Sequence, residues 1–362
     1  MNLLNLSETR LIPKSLIIKN MQKRLDNSFY MISKRRNDLF GFAIIEILIF
    51  HFFEKQNNYI SLIYRSFFGA VGVPMFLILS GIGLYFSFSK CSDLKTFYKK
   101  RIIRVIIPYL IVSGVHYFIM YICIYTEGLS VAELLKDIFF INLFAKGDKQ
   151  FWYVGFILIM YCIFPLLYKI FESGKRNSIK LAIIILLVLS LTILLRIFLL
   201  KVFINNEIML TRIPAFLIGV FLGKKVYDKE RIKKIPFFAA AAGSITYFAI
   251  AIIKLFNIAE LPANLIMRYG ETIFGLLICM SLPAILELID SKRLSSFLSF
   301  CGKISLELYL IHVSLRTIMI YLNISPLNPI NYLGMIIISF LLAFCLQKLE
   351  NFIIKKQKAI KS

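Results

Sequence analysis

Long apolar runs alternate with short polar segments along almost the whole chain. A bilayer core about 30 Å thick needs roughly 20 apolar residues per helix. Stretches close to that length, each bounded by charged residues or by Pro, Gly and Asn clusters, cover residues 39–55, 67–88, 105–125, 151–168, 181–200, 208–223, 235–256, 265–286, 297–321 and 331–347. The pattern predicts an all-α, polytopic membrane protein with about ten transmembrane helices. Glu46 makes the first stretch the most unusual.

Composition supports the same class. Of the 362 residues, 59% are hydrophobic and only 17% are charged, and the mean hydropathy is +0.78. Ordinary soluble domains do not reach such values. The 6 cysteines occur singly, without a C-x-x-C pair. They therefore predict neither a disulfide framework nor a metal site.

The distribution of cations predicts the orientation of the chain. About three-quarters of the 43 lysines and arginines lie in alternate polar segments, and short segments rich in Lys and Arg stay on the cytoplasmic side. These segments are the N-terminal arm, residues 90–104, 169–180, 224–234 and 292–303, and the tail from residue 348. Both termini are therefore predicted to be cytoplasmic. The net charge of +23 then reflects topology, and no nucleic-acid partner is expected.

The chain divides into a basic arm (1–36), a transmembrane domain (37–352) and a basic tail (353–362). The arm lacks the apolar core of a signal peptide. Its apolar residues recur every three or four positions, at Ile18, Met21, Leu25, Phe29 and Ile32. This spacing fits a helix lying in the membrane interface, and a poorly ordered tail is the alternative.

Two histidines lie within predicted membrane spans, His51 in the first and His312 in the ninth. An ionisable side chain there costs at least about 2.5 kcal/mol on insertion scales, which makes it a functional candidate. Both lie about 18 Å from the cytoplasmic side at 1.5 Å per residue. Ser305, Tyr309, His312 and Arg316 form one polar stripe on the ninth helix. Histidine can accept a proton at neutral pH; structural hydrogen bonding between helices is the alternative role.

Further charged residues predict a polar chamber in the outer half of the bundle. Arg212 begins the sixth predicted helix from the outer side, and Arg268 and Glu271 begin the eighth. His116 has polar neighbours but no surrounding motif, so a structural role is favoured for it.

Arg101 and Arg104 lie at the cytoplasmic start of the third predicted helix. Residues three apart share a helix face, and guanidinium groups bind phosphate oxygens through paired hydrogen bonds. One interpretation is a grip on a phosphorylated donor. The other is that the two arginines only fix the topology.

Six segments, in order along residues 38–350, resemble the acyltransferase-3 family of membrane enzymes, which O-acylate surface polysaccharides and related glycans. They read DLFGFAIIEILIFHF, GVPMFLILSGIGL, FYKKRIIRVIIPYLI, FWYVGFILIMYCIFPLL, RIPAFLIGVFLG and GKISLELYLIH. Each is mostly apolar and weak alone. Their shared order makes the resemblance specific.

The resemblance implies how the donor is held. Arg101 and Arg104 match the R-x-x-R pair thought to bind the phosphates of acyl-CoA, which is a substrate rather than a bound cofactor. The family's first helix usually has an arginine eleven residues before its histidine, and this chain has Phe40 there. Arg35 or Arg36 could reach in from just below.

The resemblance also implies the chemistry. His51 matches the histidine proposed as the catalytic base, and His312 and Arg212 match positions in the ninth and sixth helices. A glycan hydroxyl would lose its proton to His51 and attack the thioester, while Arg212, Arg316 or His312 stabilises the oxyanion. The expected setting is the bacterial plasma membrane, with lipid around the protein and acetyl as the transferred group.

Two other functions fit the same residues. A transporter for a small anion or a lipid-linked sugar would also have arginines and histidines in a polar cavity. A catalytically silent relative of the acyltransferases is the second alternative, and Phe40 is the feature that favours it.

Overall fold

The computed structural model describes residues 28–124, 130–231, 234–255 and 263–359. Throughout these ranges the secondary structure is helical, without a strand, which confirms the all-α class. Most of the arm predicted as an interfacial helix lies outside the described residues. Phe29 and Ile32, which lie within them, are buried.

The described helices follow one another with short connections. In chain order they are α1 Ser28–Lys34, α2 Arg36–Phe53, α3 Tyr59–Phe67, α4 Gly72–Lys90, α5 Leu94–Arg101, α6 Ile107–Phe118, α7 Val131–Ile138, α8 Ile141–Lys146, α9 Trp152–Glu172, α10 Asn177–Phe198, α11 Leu200–Leu210, α12 Ile213–Tyr227, α13 Lys234–Leu255, α14 Ala263–Ile289, α15 Lys292–Lys303, α16 Ser305–Tyr321 and α17 Pro329–Ala359. Two π-helical segments, Ile102–Ile106 and Ile119–Ile124, flank α6.

Several of these helices can cross a membrane. Within the described ranges, seven spans are long and apolar enough, and an eighth results if the bent pair α15–α16 counts as one. Helix α2 contains Arg36, Asp38 and Glu46 among its 18 residues, and the apolar part of α13 is short, Phe237–Ile253. The protein is therefore a multi-pass membrane protein. The total of about ten spans and the cytoplasmic termini stay predictions.

Helix α4 lies at the centre of the bundle and packs against α12, α2 and α14. Its contact with α12 is close because glycines leave room for the backbone: Gly81 lies against Gly219 and Val220, and Gly219 lies against Ile78. Small residues spaced four apart, such as Gly219 and Gly223, allow this approach between membrane helices.

Glu46 has a structural role in this packing. Its carboxylate accepts a hydrogen bond of 2.6 Å from the Gly72 backbone N–H and one of 3.3 Å from the Tyr64 hydroxyl. Gly72 begins α4, and a carboxylate at a helix N-terminus is stabilised by the helix dipole. A charged residue in the apolar α2 therefore fixes the start of the central helix.

Two local distortions shape the wall of the bundle. Pro108 has no N–H to donate to the Arg104 carbonyl, and the helix adopts π geometry, with the Ile107 N–H bonded to the Ile102 carbonyl. At Ile304 the chain bends by 68° between α15 and α16. Both distortions lie beside the cavity described below.

We expect the substitution Gly219→Ala to destabilise the bundle. Its added Cβ would overlap the Ile78 backbone, and overpacking of this kind lowers the free energy of unfolding by about 1–3 kcal/mol. The matched control is Gly334→Ala, where the added Cβ meets no atom within 4 Å. Thermal unfolding of the detergent-solubilised protein should show a lower melting temperature only for Gly219→Ala. Equal melting temperatures would contradict the close α4–α12 contact.

Candidate active site

One cavity of about 1400 Å³ runs through the bundle. Helix α2 lines it at both ends, with Arg36 at one and His51 and Glu54 at the other. Arg36 and His51 are about 22 Å apart along the helix at 1.5 Å per residue. The two ends are called the arginine end and the histidine end below. The cavity therefore connects groups that the sequence placed on opposite sides of the membrane.

At the histidine end, His51 is held by Glu54, the C-cap residue of α2 three positions later. The His51 Nδ1 lies 3.2 Å from Glu54 Oε2, and Arg316 Nη2 donates to the same oxygen at 2.9 Å. Arg316 Nη1 also lies near Nδ1, at the longer distance of 3.4 Å. Because a guanidinium can only donate a hydrogen bond, that contact would require Nδ1 to accept. The shorter contact with the carboxylate, which accepts, favours the tautomer in which Nδ1 carries the proton, and the Nε2 lone pair of His51 is then free to accept a proton.

His312 lies directly behind His51. The ring centroids are 5.3 Å apart, in agreement with the similar depth predicted from the sequence. However, His312 is fully buried and does not line the cavity. Its Nδ1 lies 2.8 Å from the Leu308 carbonyl and donates to it. His312 therefore supports the His51 ring from behind rather than contacting a molecule in the cavity.

Arg212 lines the cavity and is buried, as the predicted polar chamber requires. It donates to Glu271 Oε2 at 2.5 Å and to the Arg268 carbonyl at 3.3 Å. Arg268 in turn pairs with Glu207 at 3.1 Å. Arg212 and Arg316 are alike in two respects: each is paired with one carboxylate, Glu271 or Glu54, and each has an enclosed Nε without a hydrogen-bond partner. They differ in position, because Arg316 lies beside His51.

His116 lies away from this chemistry. It is buried, is not among the residues that line the cavity, and its Nδ1 lies 2.9 Å from the Ser314 hydroxyl. This hydrogen bond joins α6 to α16, as expected for a structural histidine.

The arginine end contains three arginines, Arg36, Arg101 and Arg104, together with Lys303. Arg101 donates to the Ser87 hydroxyl at 2.8 Å. None of the three forms an ion pair with a carboxylate in the part of the chain that the structure describes. The Nε atoms of Arg36 and Arg101 are enclosed and lack a hydrogen-bond partner. Buried cations are costly unless they are paired, so this end has the charge to receive an anion.

Arg36 and Arg35 have different surroundings. Arg35 pairs with Asp38 and with Glu287, each at 3.0 Å, outside the cavity. Arg36 turns inward, and its guanidinium carbon lies 4.9 Å from the centroid of the Phe40 ring. Cation–π attraction stabilises such a contact. Of the two arginines considered for the position left empty by Phe40, the structure brings Arg36 to the cavity.

Glu54 is the functional candidate that sequence reasoning missed. It follows His51 by three residues, a spacing that puts both side chains on one helix face. This H-x-x-E pattern could have indicated its role. However, Glu54 lies beyond the most apolar part of the helix, where a charged residue usually marks the end of a membrane span.

We expect diethylpyrocarbonate, which acylates accessible imidazoles, to modify His51 alone among the 3 histidines. The His51 side chain is 22% exposed, whereas His116 and His312 are 2% and 0% exposed. Peptide mass spectrometry after brief treatment of the folded protein measures this, and the unfolded protein, modified at all three, is the control. Modification of His312 before His51 would contradict the geometry.

Comparison with known protein families gives one match. Residues 41–348 match the acyltransferase-3 family model, described as an acyltransferase domain. No curated protein and no solved structure gives a significant match. The matched region covers nearly the whole chain and contains most of the cavity wall, from His51 to Arg316. The chain therefore belongs to the acyltransferase-3 family.

Proposed function

We propose that this protein transfers an acyl group, expected to be acetyl, from cytoplasmic acyl-CoA to a hydroxyl of a cell-surface polysaccharide or glycan precursor at the plasma membrane. The observation that carries the proposal is the single cavity that joins unpaired arginines to the His51–Glu54 pair. An acyltransferase with its donor and acceptor on opposite sides of a membrane needs such a connection.

The donor would enter at the arginine end. Acyl-CoA carries several phosphate charges and cannot cross the bilayer. Arg101 and Arg104 form no ion pair with a carboxylate among the described residues, and charge-assisted hydrogen bonds to phosphate are stronger than neutral ones. The acyl arm then extends along the cavity toward His51.

The acceptor hydroxyl would approach from the histidine end. His51 Nε2 takes the hydroxyl proton as the oxygen attacks the thioester carbon. The tetrahedral intermediate collapses with cleavage of the carbon–sulfur bond, and the imidazolium returns the proton to the CoA thiolate. Glu54 stabilises the charged imidazolium through the Nδ1–H. The products are the O-acyl glycan and CoA.

Arg316 is the residue best placed to stabilise the oxyanion. It lines the cavity next to His51, with Nη1 3.4 Å from His51 Nδ1. Arg212 also lines the cavity but has no hydrogen bond to His51 among the described residues, and His312 lies behind the cavity wall.

We expect His51→Ala to lower acyl transfer by at least about 100-fold, the usual contribution of a general base. The measurement is the release of CoA and the incorporation of labelled acetyl into glycan by the purified protein. His116→Ala, with a change of the same kind outside the cavity, is the control for general damage. Transfer at the wild-type rate by folded His51→Ala would remove His51 from the mechanism.

The same assay separates the alternative functions. Uptake of unmodified substrate without CoA release would favour the transporter, and neither activity in well-folded wild type would favour the silent relative.

We expect the double substitution Arg101→Ala, Arg104→Ala to raise the apparent KM for acyl-CoA by about 10-fold or more, because phosphate contacts stabilise the bound ground state. Initial rates at varied acyl-CoA measure this. Lys100→Ala is the matched control, because Lys100 is an exposed cation in the same segment that does not line the cavity. An unchanged KM in the double variant would indicate that the two arginines only fix the topology of the chain.

A further inference from the structure

The bend at Ile304 brings a helix N-terminus to the arginine end of the cavity. Helix α16 begins at Ser305, and Ser305 and Leu306 line the cavity together with Gly302 and Lys303 from the end of α15. The first backbone N–H groups of a helix have no intrahelical partner, and they favour anions. The N-terminus of a helix does not form an anion-binding site by itself, so the neighbouring side chains determine whether an anion binds there.

The surroundings are supplied by Arg36. Gly302 packs so closely against the Asn37 backbone that a Cβ at Gly302 would overlap it, which sets Lys303 and Ser305 beside the first turn of α2. Although Arg36 as a residue is half-buried, its Nε is fully enclosed and unpartnered. Its charge also interacts unfavourably with those of Arg101 and Arg104. An enclosed guanidinium facing two other cations is an independent sign of a missing anion.

Gly83 provides the space for this guanidinium. A Cβ at Gly83 would overlap Arg36 Nη2. The position of the Arg36 guanidinium therefore depends on the space at Gly83 in α4 and on its stacking over the Phe40 ring. Arg36 is held at the cavity by its packing as well as by its charge.

The nearest carboxylates do not neutralise the cluster. Glu307 and Glu350 interact electrostatically with each other and with Arg104, but neither forms an ion pair with Arg104 among the described residues. Neither lines the cavity. The cations that line this end of the cavity are Arg36, Arg101, Arg104 and Lys303, so they outnumber these two carboxyl groups.

We infer that Arg36, Lys303 and the first turn of α16 form a second phosphate subsite next to the Arg101/Arg104 pair. The donor is then held by two separate phosphate groups, as in a nucleotide thioester that carries both a pyrophosphate and a ribose phosphate. A donor with one phosphodiester, such as an acyl chain on a carrier protein, would leave one subsite empty. This inference rests on the proposed function and specifies the class of its donor.

Binding of radiolabelled CoA to the full-length protein in detergent tests the inference, with 3′-dephospho-CoA as the ligand that lacks one phosphate. We expect wild type to bind CoA about 10-fold or more tightly than 3′-dephospho-CoA, as the loss of a charge-assisted contact predicts. Arg36→Ala and Lys303→Ala should each weaken CoA binding. One of the two subsites binds the ribose 3′-phosphate that 3′-dephospho-CoA lacks. The preference for CoA should therefore vanish in the variants of that subsite, either Arg36 and Lys303 or Arg101 and Arg104, and persist in the variants of the other subsite.

Gly83→Ala tests whether weaker CoA binding results from the displaced Arg36 guanidinium rather than from misfolding. This variant keeps every cation and only fills the space that Arg36 occupies. It should weaken CoA binding as Arg36→Ala does, while Lys100→Ala should bind like wild type. Wild-type affinity in Arg36→Ala and Lys303→Ala, with weakened binding in the Arg101 and Arg104 variants, would overturn the second subsite alone. No binding of CoA to wild type would overturn both the subsite and the proposed donor.

Discussion

Unpaired charge enclosed in the cavity of the helix bundle is the constraint on which this structure depends. Three arginines meet at one end of the cavity without forming an ion pair with a carboxylate among the described residues, although enclosed cations are costly unless they are paired. At the histidine end, in contrast, cations and carboxylates are paired. The difference supports the proposed arrangement, in which an anionic donor such as acyl-CoA binds at one end and a largely neutral glycan at the other.

The rest of the fold keeps these groups in place. Close glycine contacts join α4 to α12 and α2 to α15, and Glu46 fixes the start of α4. The π segment that contains Arg104 and the bend at Ile304 direct backbone and side chains toward the arginine end. Rigid walls matter because electrostatic stabilisation of a transition state depends on groups that are already oriented.

Much of this arrangement could be predicted from the sequence. Apolar length and charge alternation located the helices, and the positions of His51, Arg101, Arg104, Arg212 and Arg316 on the cavity wall followed from polar residues in apolar stretches. The role of Glu54 could not be predicted from hydropathy, because a carboxylate at a helix end usually reads as solvated. Nor could sequence separate His51 from His312, since depth along a helix does not tell which ring faces a cavity and which lies behind it. Whether Arg35 or Arg36 turns inward depends on long-range partners, here Glu287 for Arg35 and the space at Gly83 for Arg36.

Transfer across the membrane through one cavity is the central claim. The most direct measurement uses proteoliposomes in which the arginine end faces outward, with labelled acetyl-CoA outside and an impermeant glycan acceptor trapped inside. The account predicts labelled glycan inside the vesicles and free CoA outside, in equal amounts. Labelled glycan formed only when donor and acceptor share one side would contradict it.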